Sequence, residues 1–314
     1  MGLFSKLFGR STSTPEWAAF LGPDEYAAFA SHLRQALAAR SLPSSVADLR
    51  SGAVALKFGK ESGSLGFSPI ARKCRGLEQE KWAGLIAEHL DRALEPNDEL
   101  IARLGADFEA ARAYLKVQLV PDGFMRPDWE EGLNFKTFGT GVKAALVYDL
   151  PTLVHSVPAA DVRRWARAGS ELFDVAAENV WTEAEKPAIE RVDIAEARVA
   201  FEQLVGDSFF ICSHALWLDR YPQASSDRGA LVAVPSRHTV LFHPIRDASA
   251  WRAMSSLPFM AADLHSKLPG PVSSNIFWVK GGKVTDIPVR RAGGEIQVMP
   301  SESVTSIMAG LQEA

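Results

Sequence analysis

Residues 207–247 limit the fold of this chain more than any other stretch. They read DSFFICSHALWLDRYP, then a polar break, then GALVAVPSRHTVLFHPIRD. The second part has the form of two short apolar strands, Ala230–Val234 and Thr239–His243, joined by Pro235-Ser236-Arg237-His238. Proline fixes its own φ and serine bonds nearby backbone, so this tetrapeptide suits a reversal between strands. The C-terminal half is therefore expected to rest on a β-sheet, and Phe209–Leu218 is expected to supply another strand of it.

The 314 residues allow roughly two domains. Hydrophobic residues at 47% and charged residues at 23% give the balance of a globular protein whose core needs no metal or disulfide. With 34 basic against 38 acidic residues, the net charge is −4. That argues against nucleic-acid binding, which runs on clustered cations neutralising phosphates. The densest basic run, Arg163-Arg164-Trp165-Ala166-Arg167, lies in a helical pattern and reads as a solvated helix face. The two cysteines, Cys74 and Cys212, have no disulfide framework around them. No apolar run approaches the ~20 residues that cross a bilayer. Together these readings predict a reducing, cytoplasmic setting.

At the start, MGLFSKLFGR places Leu3 with Leu7, Phe4 with Phe8 and Lys6 with Arg10 at four-residue spacing. Wound as a helix, it would gather four large apolar side chains on one side and two cations on another. This implies a weak foothold on an anionic membrane surface, set against a terminus that simply frays or packs on protein. Ser11-Thr12-Ser13-Thr14-Pro15 reads as a flexible joint.

Beyond it, periodicity predicts a helix over 17–39, closed by Pro43. A hairpin follows, with Val54, Leu56 and Phe58 on one strand, a turn at 59–63 and a return over Leu65–Ala71. Pro69 would place that return near a sheet edge. Helices over 82–93 and 101–115 complete an N-terminal domain, residues 15–115, after a tail at 1–14. A larger domain, 116–314, then opens with strands at 117–120 and 143–149. A helix runs through Val162 and Trp165, with Gly169 ending it and Ser170 capping the next, Glu171–Trp181. The acidic stretch 183–206 reads in part as loop. A helix at 251–267, a hairpin turning on Gly281-Gly282, and a last helix at 301–311 follow. The expected class is α+β: a small helix–hairpin–helix unit followed by a larger mixed or antiparallel sheet domain with flanking helices.

No complete catalytic, cofactor or metal motif occurs. His238 and His243, five apart along a strand, point to opposite faces and cannot share an ion. Cys212 and His214 would share one face of a strand, with Asp219 nearby in sequence and Arg237 and His238 at the hairpin turn. A thiolate there would still need an oxyanion donor set and an orienting acceptor, and a buried cysteine more often packs than reacts. Gly139-Thr140-Gly141-Val142-Lys143 lacks the order of a phosphate loop and reads as a turn. Asp122, Asp128, Glu130 and Glu131 match no calcium loop and read as solvated charge. The eight tryptophans are spread along the chain as separate anchors.

From about Tyr26 onward the chain resembles the YtpQ-like family of uncharacterised bacterial proteins. The resemblance is carried by the N-terminal helix and hairpin, WAGLIAEHLDRAL, LVYDL, ELFDVAAENV and ALVAVPSRHTVLFHPI. It implies a mostly cytoplasmic α+β protein and brings no functional residues. The amphipathic start and the acidic 183–197 insert depart from the pattern.

Two functions remain. One is a non-enzymatic role binding a protein or peptide partner, with no cofactor and with membrane contact through residues 1–10. The other is a hydrolase or transferase built on Cys212 and His214 near the Arg237–His238 turn.

Overall fold

The computed structural model describes residues 14–311 apart from 19, 46–48, 50–51, 59–60, 76, 95–96, 125–126, 128, 151–152, 185, 269 and 293–294. The amphipathic stretch with Leu3, Phe4, Lys6, Leu7, Phe8 and Arg10 lies outside the described residues, as do Ser11–Ser13 of the expected joint. Thr14 and Pro15 belong to the fold, since Pro15 is buried and its carbonyl accepts from Ala18 N–H at 2.9 Å.

The chain forms two compact units, one of residues Met1–Pro96 with Pro151–Leu153, the other of Asn97–Leu150 with Val154–Ala314. In the first, α1 (Pro23–Ala38) presents Phe29, Leu33 and Leu37 to a shared core. The hairpin β1 (Ala53–Phe58) and β2 (Glu61–Gly66) adds Val54 and Leu65 to it. Next, α2 (Ser68–Arg75) and α3 (Trp82–Leu94) close that core with Ile70, Trp82, Ile86 and Leu90. The strand expected through Ala71 thus ends at Gly66. Position 69 is the second residue of a helix, where proline's missing N–H removes no helical bond.

The second unit begins earlier than the expected 115/116 boundary, with α4 (Asp98–Ala106) and the single turn α5 (Phe108–Ala111). The helix expected over 101–115 breaks at Asp107, whose extended backbone and side chain, accepting from Glu109 N–H at 3.0 Å, start a new turn. Strands β3 (Leu115–Pro121), β4 (Phe135–Gly139), β5 (Val142–Asp149) and β6 (Val154–Ser156) make an antiparallel sheet. Within it β3 takes one edge of β5, while β4 and β6 share the other end to end. Helix α6 (Ala159–Trp165) fastens α4 to this sheet. Trp165 Nε1–H donates to Leu104 O at 3.1 Å, Arg164 to Gly105 O at 2.7 Å, and Tyr148 O–H to buried Asp161 at 3.0 Å.

Helix α7 (Gly169–Trp181) packs on β3. Gly169 opens this helix instead of ending the one before, which closes on Ala166 in the left-handed region at φ 52°. A Cβ at Gly169 would collide with the carbonyl oxygen of Gly132, and that close approach is what demands glycine.

The acidic stretch 183–206, expected in part as loop, holds a hairpin, β7 (Ala188–Ile194) and β8 (Val199–Val205). With β9 (Ala230–Ser236), β10 (Thr239–Pro244), β11 (Ile276–Lys280) and β12 (Lys283–Ile287) it builds a sheet ordered β12-β11-β9-β10-β8-β7. Helix α8 (Ser249–Lys267) covers one face, burying Ala250, Ala253, Leu257 and Ala261 against Leu231, Ala233, Leu241 and Phe201. A small hairpin, β13 (Val289–Ala292) with β14 (Glu295–Val298), and α9 (Glu302–Met308) complete the unit. Every pairing between named strands is antiparallel, so the class is α+β. No helix of the described residues is long and apolar enough to cross a membrane.

Candidate functional site

Residues Ile211–Arg220 form 3-10 turns, where a strand was expected. Cys212, Ala215 and Leu218 recur every three residues, which is the 3-10 repeat, and all three are buried. Ser208 Oγ starts the turn by accepting from Phe210 N–H at 3.1 Å, and buried Ser213 Oγ accepts from Leu119 N–H of β3 at 3.3 Å. Two steps along such a helix carry a side chain well round its axis, so Cys212 and His214 do not share a face.

Their surroundings differ accordingly. The Cys212 thiol is fully buried, lies 3.6 Å from Leu119 O, and is pushed by burial up to about 11. It is protonated at neutral pH and is no nucleophile there. His214 Nδ1 pairs with the Tyr221 hydroxyl at 2.7 Å, and its ring is edged by Trp181, Trp217 and Tyr221. Burial, and secondarily the Lys186 charge, hold it down to about 4. Asp219 is exposed at a separate hollow of about 90 Å³, beside Ser225, Ser226 and Lys280.

Arg237 and His238 occupy the β9–β10 turn. Arg237 Nε–H donates to His238 Nε2 at 3.2 Å, so the ring donates through Nδ1 to Gly206 O at 3.1 Å. Burial first, then the Arg237 charge, lowers His238 to about 4. The guanidinium lies 4.4 Å over the Phe209 ring. Backbone bonds pin the turn, Arg237 N–H to Gly270 O at 2.9 Å and Cys212 N–H to Arg237 O at 3.0 Å. The fold thus brings Cys212 and Arg237 together through main chain. It leaves the five residues in three separate settings.

The other candidates are absorbed similarly. His243 contacts Ala200 O at 2.8 Å and Ser249 Oγ at 3.1 Å, tying β8, β10 and α8. Glu130 pairs with Arg163, Glu131 accepts from Thr137 Oγ1–H at 2.6 Å, and Asp122 lies 3.6 Å from Lys143; Asp128 lies outside the described residues. Among the described residues no three His, Cys, Asp or Glu gather where a metal could sit. The Gly139-Thr140-Gly141 turn clamps the two sheets. Thr140 N–H and Oγ1–H donate to Asp286 of β12 at 2.8 and 2.9 Å, and Asn275 Nδ2–H donates to Thr140 O at 2.9 Å.

Beside that clamp the sheets part, and a cleft of about 300 Å³ opens between them. Val117, Phe138 and Ala144 of the first sheet form one wall, with Phe173 and Ala177 of α7 beside them. Leu216, Trp217, Gly282 and Val284 form the rest. Trp217 reaches it because its backbone leaves the 3-10 path, at φ −132° and ψ 37°. Lys136, Thr137 and Asp174 are the polar lining, and Lys136 Nζ sits 4.2 Å over the Phe173 ring. Sequence reasoning passed over this site. Its residues come from six elements, and the one local signal was Leu216-Trp217, two large apolar residues that lie off the buried Cys212, Ala215 and Leu218 repeat.

Comparisons with protein-family models, with curated proteins and with solved structures return no match.

Proposed function

We propose that the chain is a non-enzymatic binding module whose cleft takes an apolar side chain from a partner polypeptide. The observation that carries this reading is the cleft itself. Its volume of about 300 Å³ and its mixed lining, with Phe138, Phe173 and Trp217 beside Lys136, Thr137 and Asp174, suit an apolar side chain with a polar neighbour. The side chains that acyl transfer would need are held in packed surroundings elsewhere: a protonated thiol on a carbonyl, and two imidazoles already committed to hydrogen bonds.

The test is a selection of displayed random dodecapeptides on the full chain, with recovered peptides re-measured on Trp217→Ala and Ala177→Leu. The first variant removes a wall, and the second fills the cleft from α7. Peptides with an apolar anchor should lose at least about tenfold in affinity on both, roughly 1.4 kcal/mol. Recovery of no peptides, or of peptides indifferent to both variants, would remove the reading.

A further inference from the structure

We infer that the partner enters as an extended strand, pairing through its backbone with the free edge of β12 at Val284. This rests on the cleft reading above. Strand β12 ends its sheet, with β11 on one side only. Gly281 and Gly282, at φ 53° and 71°, form the two-residue turn in which the flanking Lys280 and Lys283 exchange both backbone bonds. Alternation along an antiparallel pair then directs Thr285 and Ile287 toward β11. It turns the N–H and C=O of Val284 and Asp286 outward.

The two outward positions differ. Asp286 lies at the end closed by the Thr140 clamp. Val284 opens on the cleft, so its amide and carbonyl stand beside a pocket for a side chain. The opposing strand β4 offers no such edge there. Phe135 O already accepts from Gly132 N–H at 2.7 Å, and Thr137 N–H donates to Glu131 at 3.3 Å.

An extended segment supplies what this arrangement lacks, two main-chain bonds and an alternate side chain directed into the pocket. Its charge follows as well. Lys136 is the cation of the cleft lining, and among the described residues it makes no ion pair, so the segment carries an acidic residue next to its apolar anchor.

The probes are the peptides recovered by the selection above, N-methylated one position at a time, and the variant Val284→Pro. Val284 does not bond to β11, so proline there removes the outward N–H without breaking the sheet, and the methylation scan separates that loss from the change of side chain in the cleft wall. Strand addition predicts an at least tenfold loss at the one methylated position whose N–H meets the Val284 carbonyl, tolerance at its neighbours, and a similar loss on Val284→Pro. Replacing the peptide's acidic residue by lysine should also weaken binding. Peptides that still need Trp217 but ignore both backbone changes would overturn strand addition and leave the cleft reading standing. An empty selection, or peptides that ignore Trp217, would overturn both. A dimer in light scattering that Val284→Pro dissolves would make the occupant a second copy of this chain and overturn the partner proposal.

Discussion

At Cys212 the thiol has a carbonyl neighbour, no solvent and a proton affinity raised to about 11 by burial. Cys74 is buried and raised likewise. Iodoacetamide at neutral pH should therefore leave both thiols of the native chain unlabelled over hours, and should modify two per chain in denaturant. Native labelling of Cys212 faster than a free thiol would restore it as a reactive group. The sequence made Cys212, His214, Arg237 and His238 visible as residue types but not their directions. A strand would have set Cys212 and His214 side by side, and the three-residue recurrence of Cys212, Ala215 and Leu218 points to the 3-10 path instead. Trp217, Phe173 and Lys136 carried no signal as a group, because distant elements bring them together.

Elements marked by their own turn chemistry were legible. Gly281-Gly282 and the Pro235-Ser236-Arg237-His238 reversal announce hairpins that the fold contains, although β9 runs on through Ser236 and leaves Arg237-His238 as the turn. The hairpin β7–β8 was missed because β7, AIERVDI, is an edge strand whose charged residues face water and mask the alternation. Those charges guard an exposed edge against pairing with other chains. Gly169 was misread for a related reason: glycine after a helix usually marks its end, whereas here Gly132's backbone crowds the start of α7. The two accounts predict opposite signs for Gly169→Ala. Helix propensity alone would stabilise α7 by about 1 kcal/mol. Collision with a backbone carbonyl should instead destabilise the second unit by about 1–3 kcal/mol, read as a lower urea midpoint at unchanged slope. A raised midpoint would show that α7 can yield.

For the second unit as a whole, the buried imidazoles set how stability follows pH. His214 faces Lys186 and the rings of Trp181, Trp217 and Tyr221, while His238 faces Arg237 and Asp207; burial dominates both and holds them to about 4. His243 is lowered in the same direction by burial, with Asp247, Arg246 and Arg191 around it. The unfolded chain takes up protons on these rings near pH 6.5, which the folded unit refuses until far lower pH. Stability is therefore full above about pH 6.5 and falls as pH drops toward 4. At pH 5 the loss is at most about 2 kcal/mol each for His214 and His238, less for the partly exposed His238, so on the order of 3 kcal/mol together. Asp247, held below the ordinary carboxylate range chiefly by its bond to Ser249, adds its loss at more acid pH. Urea unfolding at pH 7 and pH 5 measures the difference, and His214→Gln should remove roughly half of it by keeping an acceptor for the Tyr221 hydroxyl without a titrating ring. Equal stability at the two pH values would mean that protons reach these rings in the folded state. The aromatic enclosure of His214 beside Trp217 would then be open to water, and the wall of the cleft would be looser than its geometry implies.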